Sequence, residues 1–450
     1  MRLKQDKIFI IMRSKLYSIL SVVSLLCLTS CVDNLADLTY FSEFLKFNST
    51  ETKQETLSES VDLFVDYSTC VAEAKKSAYF KATHPSIVDC SPTFYSIKGK
   101  SIKKETDNRQ QVYNLLSSIS EVNHADIKGA VNMIVNGNNQ AVLITDGEFY
   151  MQGSVRDNLN NPYLAEDFRI WLKKGYDIYF YCEQYVESGR HNKYRYYIIF
   201  TDDDIENNIN DRFARSCSAE DYDVTVFHLS NGQLRVKRDN KYPVINDAVS
   251  KSENTKVQDG MDIQEYYLSW SDMQAYLTEG DIEYTYILRG LYIDKKVTHS
   301  YKIEEITPRV YQLYPEYEKY YNSKLAGEAT QPKAGKFKLV KDVFEIDEDT
   351  FEETGEIVLK LKSGFNGGDL SYEHPNLLRV DFVVTEAKNN FTRNSDVNEA
   401  FIWKSISAAQ GHADNTSLFE SISQVLHDPK MNPERREVVL YSLYLSTTNY

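Results

Sequence analysis

The stretch "VDLFVDYSTC", Val61 to Cys70, decides how the first half of the chain folds. Val61 to Val65 form a nearly continuous apolar run, the mark of a strand covered on both faces. The run stops at Asp66, and Ser68 and Cys70 follow at every second position. A carboxylate, a hydroxyl and a thiol are thus lifted onto the end of a buried strand. In an open α/β sheet, ligands bind beyond the carboxyl ends of the strands.

The segments that follow alternate in period. "TFYSIKG" reads as an adjoining strand, and "QVYNLLSSI" and "IKGAVNMIV" read as helices. "QAVLITDG" is a second buried strand, ending in Asp146 and Gly147. "LAEDFRIWLKKG" places Leu164, Phe168, Trp171 and Leu172 on one helical face. "YDIYFYCEQYVE" and "KYRYYIIF" are Tyr-rich strands joined by "SGRHN", and "IENNINDRF" puts Ile205, Ile209 and Phe213 on one face. This alternation predicts a parallel, doubly wound α/β domain over residues 59–230. Asp66 and Asp146 both fall at its strand ends.

The helical period fades afterwards. Residues 231–260 read as a linker, with the boundary in "VSKSENTKVQDG". Over 261–395, segments such as "EYTYILRGLYI", "KFKLVKDVFEI" and "LLRVDFVVTEA" alternate or run apolar between turns, which predicts an antiparallel β-sandwich. Residues 396–450 hold one clear helix, "SLFESISQVL", with Ser417 and Glu420 as a capping box, and one strand, "REVVLYSLYLS".

The N-terminus addresses the compartment. Arg2, Lys4, Lys7, Arg13 and Lys15 precede "LYSILSVVSLLCL", an apolar stretch of signal-peptide length. It ends in "LTSC", which resembles a bacterial lipobox. That resemblance implies lipidation at Cys31 after a signal peptide over 1–30; residues 31–58 read as a flexible tether, because the short amphipathic piece "LTYFSEFLKF" is followed by "NSTETKQETLSES", which is polar and lacks a core pattern. Acyl chains would anchor the protein in the cell envelope, at the outer membrane or its periplasmic face, without spanning it. Removal of residues 1–30 would take the formal charge from −15 to about −19. Such a surface repels phosphate backbones, so nucleic acid is an unsuitable partner. Of six cysteines, Cys70, Cys90, Cys182 and Cys217 would remain unlipidated in the mature chain. Export permits disulfides, with three pairings open and Cys70–Cys90 one that would lie near the strand end. No CxxC, zincin, nucleophile-elbow or phosphate-loop motif occurs.

Asp66-x-Ser68-x-Cys70, followed eighty residues later by "LITDGE", resembles a von Willebrand factor A domain. That family carries a metal-ion-dependent adhesion site written D-x-S-x-S, then a loop threonine, then an aspartate often written T/S-D-G. The resemblance implies a doubly wound fold with Mg²⁺ or Mn²⁺ at its top, and a protein or glycan partner offering an acidic group. Asp66 and Ser68 match the first motif, and Asp146 matches the last aspartate, which in the family reaches the metal through water. Two positions depart. Cys70 stands where the family has a second serine, and a thiol suits soft metals better than Mg²⁺. Ala125 stands at the loop threonine, with Asp126 beside it as a substitute oxygen donor. The expected ligand set is therefore Asp66, Ser68, Cys70, Asp126 and Asp146.

Plainer readings stand beside this one. A strand-end aspartate often caps the next helix. Glu148 reads as a solvated loop residue. "TDDD", Thr201 to Asp204, reads as a helix N-cap, with a cation site as its alternative. At the level of function, a cation-dependent binding lipoprotein that is not an enzyme competes with an envelope scaffold bearing a degenerate site. A phosphatase of the haloacid-dehalogenase type, with Asp66 as nucleophile, is the third reading; Ser68 stands where that family has its second Asp.

Overall fold

The computed structural model describes residues 39–48, 57–119, 125–148, 163–187, 191–203, 205–230, 236–238, 249–251, 256–258, 261–263, 266–269, 286–293, 298–328, 337–362, 370, 375–404, 414–435 and 437–448. The elements of the first half are β1 (Ser58–Asp66), α1 (Thr69–Ala74), α2 (Ala78–Asp89), β2 (Thr93–Lys98), β3 (Ser101–Thr106), α3 (Arg109–Ser117), α4 (Ile127–Asn136), β4 (Asn139–Thr145), α5 (Ala165–Lys173), β5 (Asp177–Glu187), β6 (His191–Thr201), α6 (Ile209–Ser216) and β7 (Val224–Leu229).

These strands form one mixed sheet. In it β3, β2, β1, β4, β6, β5 and β7 lie side by side, and the two-residue strand Thr298–His299 adds to the β7 edge. The pairs β1–β2 and β1–β4 are parallel, as expected for strands joined through helices. The other half differs from the parallel expectation. β5 and β6 form a long hairpin, and β6 runs antiparallel to β4. A short polar connection between two apolar strands permits only antiparallel pairing, because a parallel return needs a dozen residues or more.

Helices cover both faces. Beneath one face, Val71, Phe80, Ile87, Val112, Leu116 and Phe213 from α1, α2, α3 and α6 pack against Leu63, Val65, Val142 and Ile144. On the other, Val131 of α4 and Phe168 and Trp171 of α5 pack against Phe64, Leu143 and Phe180. The second core is completed from the far end of the chain. Phe391, then Val397 and Phe401 of the helix Ser395–Phe401, and Leu418 and Ile422 of the helix Ser417–Leu426 all belong to it. The C-terminal helix begins one residue earlier than a Ser417 cap requires: Thr416 is the N-cap, and the Ser417 backbone N–H donates to Asn415 Oδ1 at 3.1 Å.

The second half carries two facing sheets, one of six strands and one of four. Their shared core contains Leu291, Val310, Phe344, Leu359, Val380, Phe382 and Leu443. The pairings are antiparallel except where Tyr266–Ser269 lies parallel to the final strand Val438–Thr448. The segment expected to be a linker supplies edge strands: Val236–Arg238 and Val249–Lys251 join the two sheets. The expected tether also has structure. The helix Phe41–Asn48 buries Phe41, Phe44 and Leu45 against Leu313, Tyr317 and Tyr320. Among the described residues no helix is long and apolar enough to cross a membrane.

Candidate functional site

β1 and β4 run parallel with Val65 beside Ile144, so the residues that follow them emerge at one edge of the sheet. Asp66 and Asp146 meet there, 1% and 3% exposed. Asp66 Oδ1 accepts the backbone N–H of Ser68 at 2.8 Å, and Oδ2 accepts the hydroxyl of Thr145 at 2.9 Å. Thr145 Oγ1 in turn accepts the Gly147 N–H at 3.1 Å, and Asp146 Oδ1 accepts the Glu148 N–H at 2.9 Å. Burial, and then the neighbouring Asp146 carboxylate, push Asp66 up to about 7, against the lowering effect of the Thr145 and Ser68 hydrogen bonds.

Ser68 occupies the N-cap position of α1 but makes no side-chain cap. Its hydroxyl, close enough to ease the Asp66 charge, is buried with no hydrogen-bond partner of good geometry. Two acids and an uncommitted hydroxyl supply the oxygen donors that a hard divalent cation takes. Gly147 has φ +70°, and a Cβ there would stand 2.7 Å from Leu418 Cδ1. The loop is thus held against the C-terminal helix.

The remaining expected ligands are placed differently. Asp126 is the N-cap of α4, its Oδ1 accepting the Gly129 N–H at 2.9 Å. That oxygen has a structural duty, which the spacing argument did not include. Cys70 lies in the first turn of α1, and its side chain is outside the described residues, as is all of Cys31. The Cys70–Cys90 disulfide is not formed: Cys90 is a free thiol that donates to the Ser86 carbonyl at 3.0 Å and receives an N–H from Arg212 at 3.3 Å. Glu148 pairs with Lys193 at 3.4 Å. "TDDD" does not cap a helix, since Asn208 performs that role by accepting the Asp211 N–H at 2.9 Å.

A second cluster occupies the opposite edge of the sheet. Asp177 opens β5 and faces Thr201 of β6, which bonds Gln140 at the start of β4. It therefore lies roughly 15–20 Å from the Asp66 edge, the length of β4. Asp177, Asp203 and His228, all buried, each offer a ligand atom within 4.8 Å of the others, so the group could hold a metal ion. His228 Nε2 lies 2.8 Å from Asp177 Oδ1, and its Nδ1 lies 2.9 Å from His299 Nδ1. Tyr179 stacks flat on the His228 ring at 4.2 Å and donates its hydroxyl to Asp203 Oδ2 at 2.5 Å. The sequence signal for this cluster was partial: "TDDD" carried the cation alternative, but Asp177 and His228 stand alone in apolar strands.

No protein-family model matches the sequence, and no curated protein or solved structure is significantly similar to it.

Proposed function

We propose that the chain is an envelope binding module in which Asp66, Ser68 and Asp146 hold a hard divalent cation, Mg²⁺ or Mn²⁺, and through it an acidic group of a protein or glycan partner. The observation that carries this reading is the meeting of two buried acids, Asp66 and Asp146, at adjacent strand ends, with the uncapped Ser68 hydroxyl beside Asp66. A cation would relieve the repulsion that raises Asp66, and would give the hydroxyl a partner. The A-domain likeness and the lipid anchor at Cys31 belong to the same proposal; "DYS", "TDGE" and "LTSC" support them. An Asp-nucleophile phosphatase fits less well, because Ser68 stands where that chemistry uses a second acid.

One observation favours a second reading. Asp66 and Asp146 are almost fully buried, and Leu418 packs on the adjoining Gly147. In that reading the ion braces a scaffold and recruits nothing. The experiment that separates them measures Mg²⁺ and Mn²⁺ binding to the purified protein and to Asp66→Asn, followed by capture of acidic glycans and peptides with and without EDTA. Cation-dependent capture supports the binding module. Cation binding without capture supports the brace, and no cation binding removes both.

A further inference from the structure

We infer that Asp177, Asp203 and His228 form a second cation site, of zinc-class rather than magnesium-class chemistry, at the junction between the two halves of the chain. The inference is independent of the Asp66 site. The donor set comprises one imidazole and two carboxylates, all buried and mutually within 4.8 Å. Imidazole suits Zn²⁺, Co²⁺ and Fe²⁺, whereas Mg²⁺ prefers oxygen donors and keeps its water. Three protein ligands leave one position for water in a tetrahedral site.

Each donor side chain is oriented by a further hydrogen bond or ring contact, as metal ligands generally are. With Nε2 on the ion, His228 carries its proton on Nδ1 and donates it to His299 Nδ1, already 2.9 Å away. The Tyr179 ring lies parallel to the imidazole, at an interplanar angle of 4°, and fixes its plane. The Tyr179 hydroxyl donates to Asp203 Oδ2 at 2.5 Å and holds that carboxylate in place. The Asp203 N–H donates to Asp177 Oδ2 at 3.3 Å, which turns Oδ1 toward the imidazole.

The location gives the ion a role. His299 belongs to the two-residue strand that reaches the β7 edge just ahead of the long sandwich strand Tyr301–Gln312. The Ser300 N–H donates to the His228 carbonyl, and the Asn390 N–H to the Ser300 carbonyl, both at 2.9 Å. An ion on His228 therefore stiffens the seam where the sandwich joins the α/β sheet.

The test is titration of chelator-stripped protein with Co²⁺, read by visible absorption, then displacement by Zn²⁺ and challenge with millimolar Mg²⁺. With millimolar Mg²⁺ present to occupy the Asp66 site, one equivalent of Co²⁺ is expected, displaced by Zn²⁺. Asp203→Asn and His228→Gln should weaken binding at least tenfold. Tyr179→Phe, which keeps the stacking ring and removes only the hydroxyl, should weaken it about 10–100-fold. Asp66→Asn should retain the Mg²⁺-resistant equivalent of Co²⁺, whether or not the Asp66 site itself holds an ion. Absence of stoichiometric Co²⁺ or Zn²⁺ binding by the wild type would overturn the site. So would binding that survives unchanged in Asp203→Asn and Tyr179→Phe, because the cluster would then be a hydrogen-bonded brace alone. Should His228→Gln not fold, the wild-type titration and Tyr179→Phe still decide.

Discussion

The Thr145 hydroxyl donates to Asp66 Oδ2 at 2.9 Å, joining the ends of two parallel strands whose residues stand 79 positions apart. That bond fixes the direction of one buried carboxylate, and Asp146, the next residue along, places a second beside it. Two acids held this way repel in the absence of a counter-charge.

A pH dependence follows from the burial of Asp66 and, after it, from that repulsion. Asp66 is raised from 3.8 to about 7 in the folded state. The native state then binds more protons than the unfolded one between these limits. The contribution of protonated Asp66 to stability is full below pH ~4 and is lost as pH rises through about 7, about 4 kcal/mol in all. In EDTA, stability of the wild type should fall over this range. Asp66→Asn, neutral at every pH, should flatten the slope in urea melts and stand above the wild type at pH 8.

Phe401 tests the joining of the two halves. Its ring packs on Phe180, Tyr196, Phe227 and Phe391, with centroids 5.4–5.7 Å apart. The Tyr196 hydroxyl also bonds the adjacent Ala400 carbonyl at 2.8 Å. Phe401→Ala should cost about 3–5 kcal/mol in chemical denaturation. Residues 57–230 expressed alone should expose apolar surface and bind hydrophobic dyes.

The Glu183–Arg195 pair supplies a third expectation. Glu183 Oε2 accepts from Arg195 and from the Tyr197 hydroxyl, each at 2.8 Å, and Ser77 bonds the other oxygen. Glu183→Gln leaves a buried guanidinium without its counter-ion and should destabilise by about 3–5 kcal/mol. The double change Glu183→Leu with Arg195→Met should recover much of that loss, a non-additivity visible in a double-mutant cycle.

Much of this architecture was legible in the sequence, for physical reasons. Apolar runs such as "VDLFV" and "AVLIT" announce strands buried on both faces, and their terminal acids announce the edge. Strand direction was legible only where a connection is short, as "SGRHN" is between β5 and β6; the antiparallel contact of β6 with β4 was not, because a buried run reads alike in parallel and antiparallel neighbours. The stripe Leu418, Ile422, Val425 and Leu426 announced a packed helix but not its partner, which lies across the whole chain in the first core. The Asp177–His228 pair was hidden for a similar reason. Its members sit at the start of one strand and the end of another, brought together only by antiparallel register. Asp126 caps α4, a role that an acid before a helix fills as readily as metal ligation, and the sequence alone does not separate the two.

The most direct test of the central claim is thermal melting of the purified protein at pH 8 in EDTA, Mg²⁺ or Mn²⁺, beside Asp66→Asn. A cation at 100 times its Kd should stabilise the wild type by about 2.7 kcal/mol. The account predicts that rise in the wild type, its loss in Asp66→Asn and its persistence in His228→Gln. A wild type indifferent to millimolar cation, melting below Asp66→Asn in every buffer, would contradict it, because the two acids would then be a buried, ion-free pair.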